Sequence, residues 1–163
     1  MKRLVGGAVA LVLAAGMFAR VGAGTTEEEK IDAVIAAVIQ AYRTGDYAAM
    51  RRYYAPEATV VPSDYSPPLV GWANVEPRYR RAYANLTRVE MIRENTRIER
   101  RGKLAWAVYQ WRFAGVVGPR AFGVQGHTTL IFEKRGGNWL ILHNHTSAIP
   151  PPAEPPAATP PSS

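Results

Sequence analysis

The chain has no cysteine, so no disulfide, thiolate nucleophile or cysteine-linked lipid anchor can contribute. Histidine is scarce, with three in 163 residues, which leaves few groups that change charge near neutral pH. Acidic residues are outnumbered, 13 against 20 Lys and Arg, for a formal net charge of +7. The first apolar run, residues 4–19, falls short of the roughly 20 residues a spanning helix needs, and Gly6, Gly7 and Gly16 interrupt it. It follows Lys2 and Arg3 and precedes the small residues Val21-Gly22-Ala23, the pattern of a secretory signal peptide. The expectation is export, with residues 1–23 removed, a secreted or periplasmic product and no stable membrane insertion after cleavage.

What remains is 140 residues with 17 basic against 13 acidic side chains, a net charge of +4. That length suits one core, expected over residues 24–149. Nine basic residues lie between Arg78 and Lys103 against Glu90, Glu94 and Glu99. They are spread along a helix and a strand, read as a solvated face rather than a nucleic-acid patch. Seven of the last fourteen residues, 150–163, are proline; such a segment cannot form a core and is expected to be extended.

Between these ends the hydrophobic period changes once. Thr26 and Glu29 make a capping box, and Ile31, Val34, Ile35, Val38 and Tyr42 recur at helical spacing up to Gly45, predicting a long amphipathic helix. Asp46 caps a short helix through Met50 to Tyr54, Ala58–Val61 reads as a strand, and Asn74 is expected to cap a third helix with Pro77 in its first turn. Val89–Arg100, Leu104–Ala114, Ala121–Lys134 and Trp139–Ala148 then alternate as four long strands separated by Gly-containing turns. The fold class is α+β: three helices, then an antiparallel meander.

The frame Ala41-Tyr42-Arg43-Thr44-Gly45-Asp46, then Tyr54-Ala55-Pro56-Glu57-Ala58-Thr59-Val60, then Gly71-Trp72 before a helix, resembles the nuclear transport factor two-like (NTF2-like) superfamily and its SnoaL-like domains. Gly126-His127-Thr128-Thr129 and the ending Gly137-Asn138-Trp139 to His143-Asn144-His145-Thr146-Ser147 resemble the branch that includes the association domain of calcium/calmodulin-dependent protein kinase II. The resemblance implies a cone, with three N-terminal helices packed in a strongly bent, mostly antiparallel sheet, an apolar pocket at its mouth and a homodimer across the convex sheet face. It implies little about chemistry, because the superfamily includes isomerases, dehydratases, cyclases, transport factors and assembly hubs. In the resembling ketosteroid isomerases a carboxylate base works with a tyrosine and a protonated aspartic acid. Those roles align near Val38, Pro62 and Thr129, none of which can perform them.

If Gly136-Gly137 closes a two-residue hairpin, Arg135 faces Asn138, and counting back pairs Thr129 with Asn144 and His127 with Thr146. The resemblance places that face inside the cone with Ile131 and Leu142. His127 then becomes the candidate general acid or base, with Asn144 or the loop carboxylate Asp64 as its partner. Tyr54, Tyr65, Trp72, Tyr109 and Trp111 are candidate pocket aromatics, joined by Thr129, Leu142 and Thr146. Gln110 is a further candidate, but Gln110 and Arg112 alternate with Tyr109 and Trp111, so only one pair faces inward. The same count puts Thr128, Leu130, Phe132, Trp139, Ile141, His143 and His145 on the convex face, as a dimer contact. His143-x-His145 invites a metal, but His127 has the opposite parity in this register and no Asp or Glu lies on the last strand. The reading calls for no metal, no cofactor and no nucleic acid.

Two functions of different class follow. One is an exported binding or assembly module for a small apolar or aromatic ligand. The other is a cofactor-independent acid–base enzyme of cyclase, dehydratase or isomerase type, using His127 with Asn144 or Asp64.

Overall fold

A computed structural model describes residues 24–149; the expected signal segment 1–23 and the Pro-rich tail 150–163 lie outside the described residues. The order is helix α1 (Glu27–Thr44), α2 (Tyr47–Arg51), strands β1 (Tyr54–Val61) and β2 (Leu69–Val70), helix α3 (Trp72–Tyr83), then β3 (Leu86–Arg101), β4 (Leu104–Val117), β5 (Arg120–Arg135) and β6 (Asn138–Ile149). The six strands form one mixed sheet in the order β2-β1-β6-β5-β4-β3, and the helices pack on its concave face. No helix among the described residues is long and apolar enough to cross a membrane.

Local chemistry accounts for most of the boundaries. The Thr26–Glu29 capping box closes the start of α1, and Gly45, at φ 68°, ends it in the left-handed conformation glycine tolerates. Asp46 caps α2 through a bond from Ala49 N–H, but that helix ends at Arg51, and Tyr54 opens β1 instead of closing α2. Helix α3 starts two residues before the expected cap. Gly71 is its N-cap, Asn74 Nδ2 instead donates to the Val70 carbonyl at 2.7 Å, and Pro77 therefore falls inside the helix. The two-residue strand β2, too short to carry a period, went unforeseen; it pairs with β1 through Thr59↔Val70 and Val60↔Leu69.

The meander is antiparallel, as its alternation implies, while β6 pairs with β1 in parallel, through Thr59↔His143, Val60↔Asn144 and Val61↔His145. The curvature has visible devices. Strand β3 shifts register twice against β4, at Thr87/Glu90 and at Glu94/Arg97, with Arg88 and Asn95 at positive φ inside those shifts. Helix α1 is tied to the sheet by Glu27, which accepts from Lys134 Nζ at 2.5 Å and from the Trp139 indole at 2.9 Å, and by Arg93–Asp32 at 2.8 Å.

The last hairpin corrects the expected faces. Gly136 and Gly137, both at positive φ, close it with Arg135↔Asn138, as the turn chemistry requires. The register holds to Phe132↔Ile141, then shifts: Leu142 is a bulge residue, and beyond it Ile131 faces His143, Leu130 faces Asn144 and Thr128 faces Thr146. One extra residue re-aims half of β6. Leu130, Phe132, Trp139 and Ile141, expected on the convex face, are core at 1%, 0%, 3% and 0% exposure, and Thr128 is inside with them. His127, Thr129 and Ile131, expected inside, lie on the convex face.

Candidate functional site

The concave face of β4, β5 and β6, roofed by α1 and α3, encloses a cavity of about 310 Å³. Tyr109, Trp111 and Phe113 project into it from β4, which settles the alternation in that strand, since Gln110 and Arg112 point outward. Tyr42 comes from α1, Tyr79 and Tyr83 from successive turns of α3, and Tyr54 from the first position of β1. Three of the rings meet edge to face, with Tyr42–Tyr83 centroids at 4.5 Å and Tyr83–Phe113 at 6.1 Å. Trp111 lies over Gly126, where a Cβ would overlap the Ser147 carbonyl oxygen and approach Trp111 Cζ2 to 2.6 Å. That close approach is why the Gly126-His127-Thr128 segment needs its glycine.

A chain of neutral hydrogen bonds crosses the sheet side of the cavity. Asn144 Nδ2 donates to the Tyr54 hydroxyl at 2.8 Å, Thr146 Oγ1 donates to Asn144 Oδ1 at 3.1 Å, and the Thr128 and Thr146 hydroxyls are 3.1 Å apart. Each hydroxyl has one proton, and Thr146 gives its own to Asn144, so Thr128 is the donor to Thr146. Burial pushes the phenols of Tyr42, Tyr54, Tyr79 and Tyr109 well above the ordinary tyrosine range, so they remain neutral. The Trp111 indole nitrogen is buried without a hydrogen-bond partner. Among the lining residues there is no carboxylate and no imidazole; the one ionised side chain is Arg78.

The sequence-derived candidates divide accordingly. Asn144, Thr146, Tyr54 and Tyr109 come together at the cavity. His127 is exposed on the opposite face, its Nε2 3.4 Å from Gln110 Nε2, and Asn95 Nδ2 donates to Gln110 Oε1 at 2.5 Å. Thr129 and Gln110 share that face, so neither lines the cavity, and Leu142 is withdrawn from it by the bulge. Tyr65, at 103% exposure and φ 60°, stands free in the loop. Trp72 is buried behind Tyr54, its ring centroid 5.1 Å away and its indole N–H donated to Glu76 at 2.8 Å. Asp64 lies on the rim rather than in the wall. It accepts from Ser66 N–H at 3.2 Å and pairs with Arg78; hydrogen bonds from Ser66 and the Arg78 guanidinium hold its carboxyl below the ordinary range. Of the three aligned isomerase positions, Val38 and Pro62 border the cavity, and Thr128 borders it in place of Thr129.

All three histidines share the convex face, contrary to the parity count, because the bulge separates His143 and His145 from the register of Trp139 and Ile141. Burial and the neighbouring His145 push the His143 imidazole down. No group of three His, Cys, Asp or Glu side chains able to hold a metal occurs among the described residues.

Tyr42, Arg78, Tyr79 and Tyr83 escaped sequence reasoning. Tyr42 reads simply as an apolar position of α1, but Tyr79 and Tyr83 are four apart on a short helix, a spacing that puts both on one face and marks them in retrospect.

A sheet curved around three helices, with an aromatic cavity between them, defines an NTF2-like fold. The chain belongs to the SnoaL-like domain family, whose profile matches residues 31–152. Among solved structures, a calcium/calmodulin dependent protein kinase II association-domain-like protein from Xanthomonas campestris is 20% identical, aligning 77% of this chain with 89% of its own at a TM-score of 0.68. An NTF2-like superfamily protein from Salmonella enterica is 17% identical over 78% and 94%, TM-score 0.69. A ketosteroid isomerase-like protein from Erwinia carotovora is 16% identical over 77% and 100%, TM-score 0.67. At these identities the likeness is one of fold. No curated protein matches the sequence.

Proposed function

We propose that this is an exported module that binds a small apolar or aromatic molecule in the concave cavity and works as a homodimer. The observation that carries the reading is the composition of the wall: aromatic rings, a chain of neutral hydroxyl and amide groups, and no carboxylate or imidazole among the lining residues. A general base must reach the proton it removes. His127, whose imidazole is the side-chain type that most often does this work, is on the other side of the sheet, and Asp64 is engaged by Arg78. Retention of a ring compound needs only enclosure and a few oriented donors, and those are present. The isomerase-like relative extends the fold to catalysts, but its chemistry does not transfer without such a base.

The dimer is supported by the convex face, where Val108 and Ile131 are each 39% exposed beside the half-buried Trp106 and Leu140. Export rests on the N-terminal sequence. Binding is tested by calorimetry with 2-naphthamide on wild type and on Ala82→Trp, which adds an indole at an exposed wall position of α3. Wild type is expected to bind and the variant to lose binding while melting normally; equal binding by both would overturn the cavity as the site.

A further inference from the structure

The wall of the cavity also bears on which ring compounds it takes, an inference that rests on the binding reading above. Arg78 is the one ionised side chain in the wall. Asp64 engages a single nitrogen of it, Nη2, and directs its other oxygen to Ser66 N–H. A guanidinium presents five N–H donors in a planar fork, so one carboxylate oxygen leaves most of that fork available. Its side chain is 29% exposed, shielded enough for a charge-assisted bond to count and open enough for a ligand to reach. Trp111 lines the same cavity with its ring, while its indole N–H is shut off from it.

We infer that the ligand is a ring-bearing carboxylate: its anionic end lies on Arg78 and its ring among Tyr42, Tyr83 and Phe113. A single monocation in an otherwise apolar wall matches a single monoanion; a phosphate dianion would bring one charge too many. Asp64 is then a competitor, holding the guanidinium in place and weakening the hold on the ligand.

The test is calorimetry at neutral pH with 2-naphthoate and its uncharged isostere 2-naphthamide. Wild type should prefer the carboxylate by about tenfold, the effect of one hydrogen bond to a charged group. Asp64→Asn keeps an oxygen for Ser66 N–H but removes the competing charge; it should tighten naphthoate severalfold and leave naphthamide unchanged. Arg78→Met, which retains the apolar stem, should erase the preference while still binding the amide. Equal affinity for the two probes in wild type, or a preference that survives Arg78→Met, would overturn the carboxylate assignment and leave the cavity reading intact. Failure of both probes to bind any folded variant would overturn both.

Discussion

Thr128 and Thr146 stand opposite each other on the concave side of the last hairpin, their hydroxyls 3.1 Å apart. They meet because Leu142 is extra. Were Leu142 paired with Ile131 instead of bulged, the register running from Arg135↔Asn138 would set Thr146 against His127, and the donor chain from Thr128 through Asn144 to Tyr54 could not form. Continued in that register, the face of Trp139 and Ile141 would bring His143 and His145 inside; the bulge keeps them out and puts the neutral network there instead.

Asn144 and His127 therefore differ in what their removal costs. Asn144→Ala leaves the Tyr54 hydroxyl and the Thr146 proton without partners in a buried place, which should cost about 1–3 kcal/mol. His127→Ala removes an exposed side chain and should stay within about 0.5 kcal/mol of wild type. Denaturant unfolding of both variants checks this, and the reverse order would mean that the register beyond the bulge is wrong.

The convex face gives a second pair. Ile131 is 39% exposed and Leu130 is 1% exposed, although they are adjacent. Ile131→Arg should keep the melting temperature of the monomer fold and dissociate the dimer in sedimentation, because it places a charge on the proposed contact. Leu130→Arg should unfold the chain, because it buries a charge without a partner. A wild type that sediments as a monomer at micromolar concentration would remove the dimer from the account.

Acid should loosen the seam between α1 and the sheet. The Glu27 carboxyl, held by Lys134 and Lys30 and further bonded by Trp139, is lowered from 4.5 to about 2. A group whose folded pKa is depressed contributes stability that is full above its unfolded value and is lost as pH falls through the folded one. Glu27→Gln should therefore melt a few degrees below wild type at neutral pH. The gap should narrow between pH 4.5 and 2, and a gap independent of pH would show that the side chain acts by packing alone.

How far the sequence carried the fold follows from the range of each signal. The capping box, Gly45 and the alternation of the last four strands are local, and they placed α1 and the meander to within a few residues. The Gly136-Gly137 turn fixed the hairpin register at its closed end, and nothing near Leu142 in the sequence announces a bulge. The turn alone therefore cannot place the second half of β6, and the face of β5 that the resemblance turns inward is the outer one. Asn144 and Thr146 face inward all the same, because the one-residue bulge and the outward face of His127 and Thr129 offset each other. Tyr54, by contrast, is legible as an aromatic lining residue but not as the start of β1, because a tyrosine two residues before Pro56 suits either a helix end or a strand start.

The central claim is that the concave cavity, and not the histidine face, receives the ligand. The most direct measurement is a nitrogen–proton correlation spectrum during titration with 2-naphthamide. The chain has four tryptophans, and Trp111→Phe assigns the indole signal of Trp111. That signal is predicted to shift and saturate with the binding isotherm as the bound naphthalene ring packs against the indole, while the backbone amides of His127 and His145 stay still. A Trp111 signal that does not respond, with shifts gathered around His127, His143 and His145, would contradict the claim.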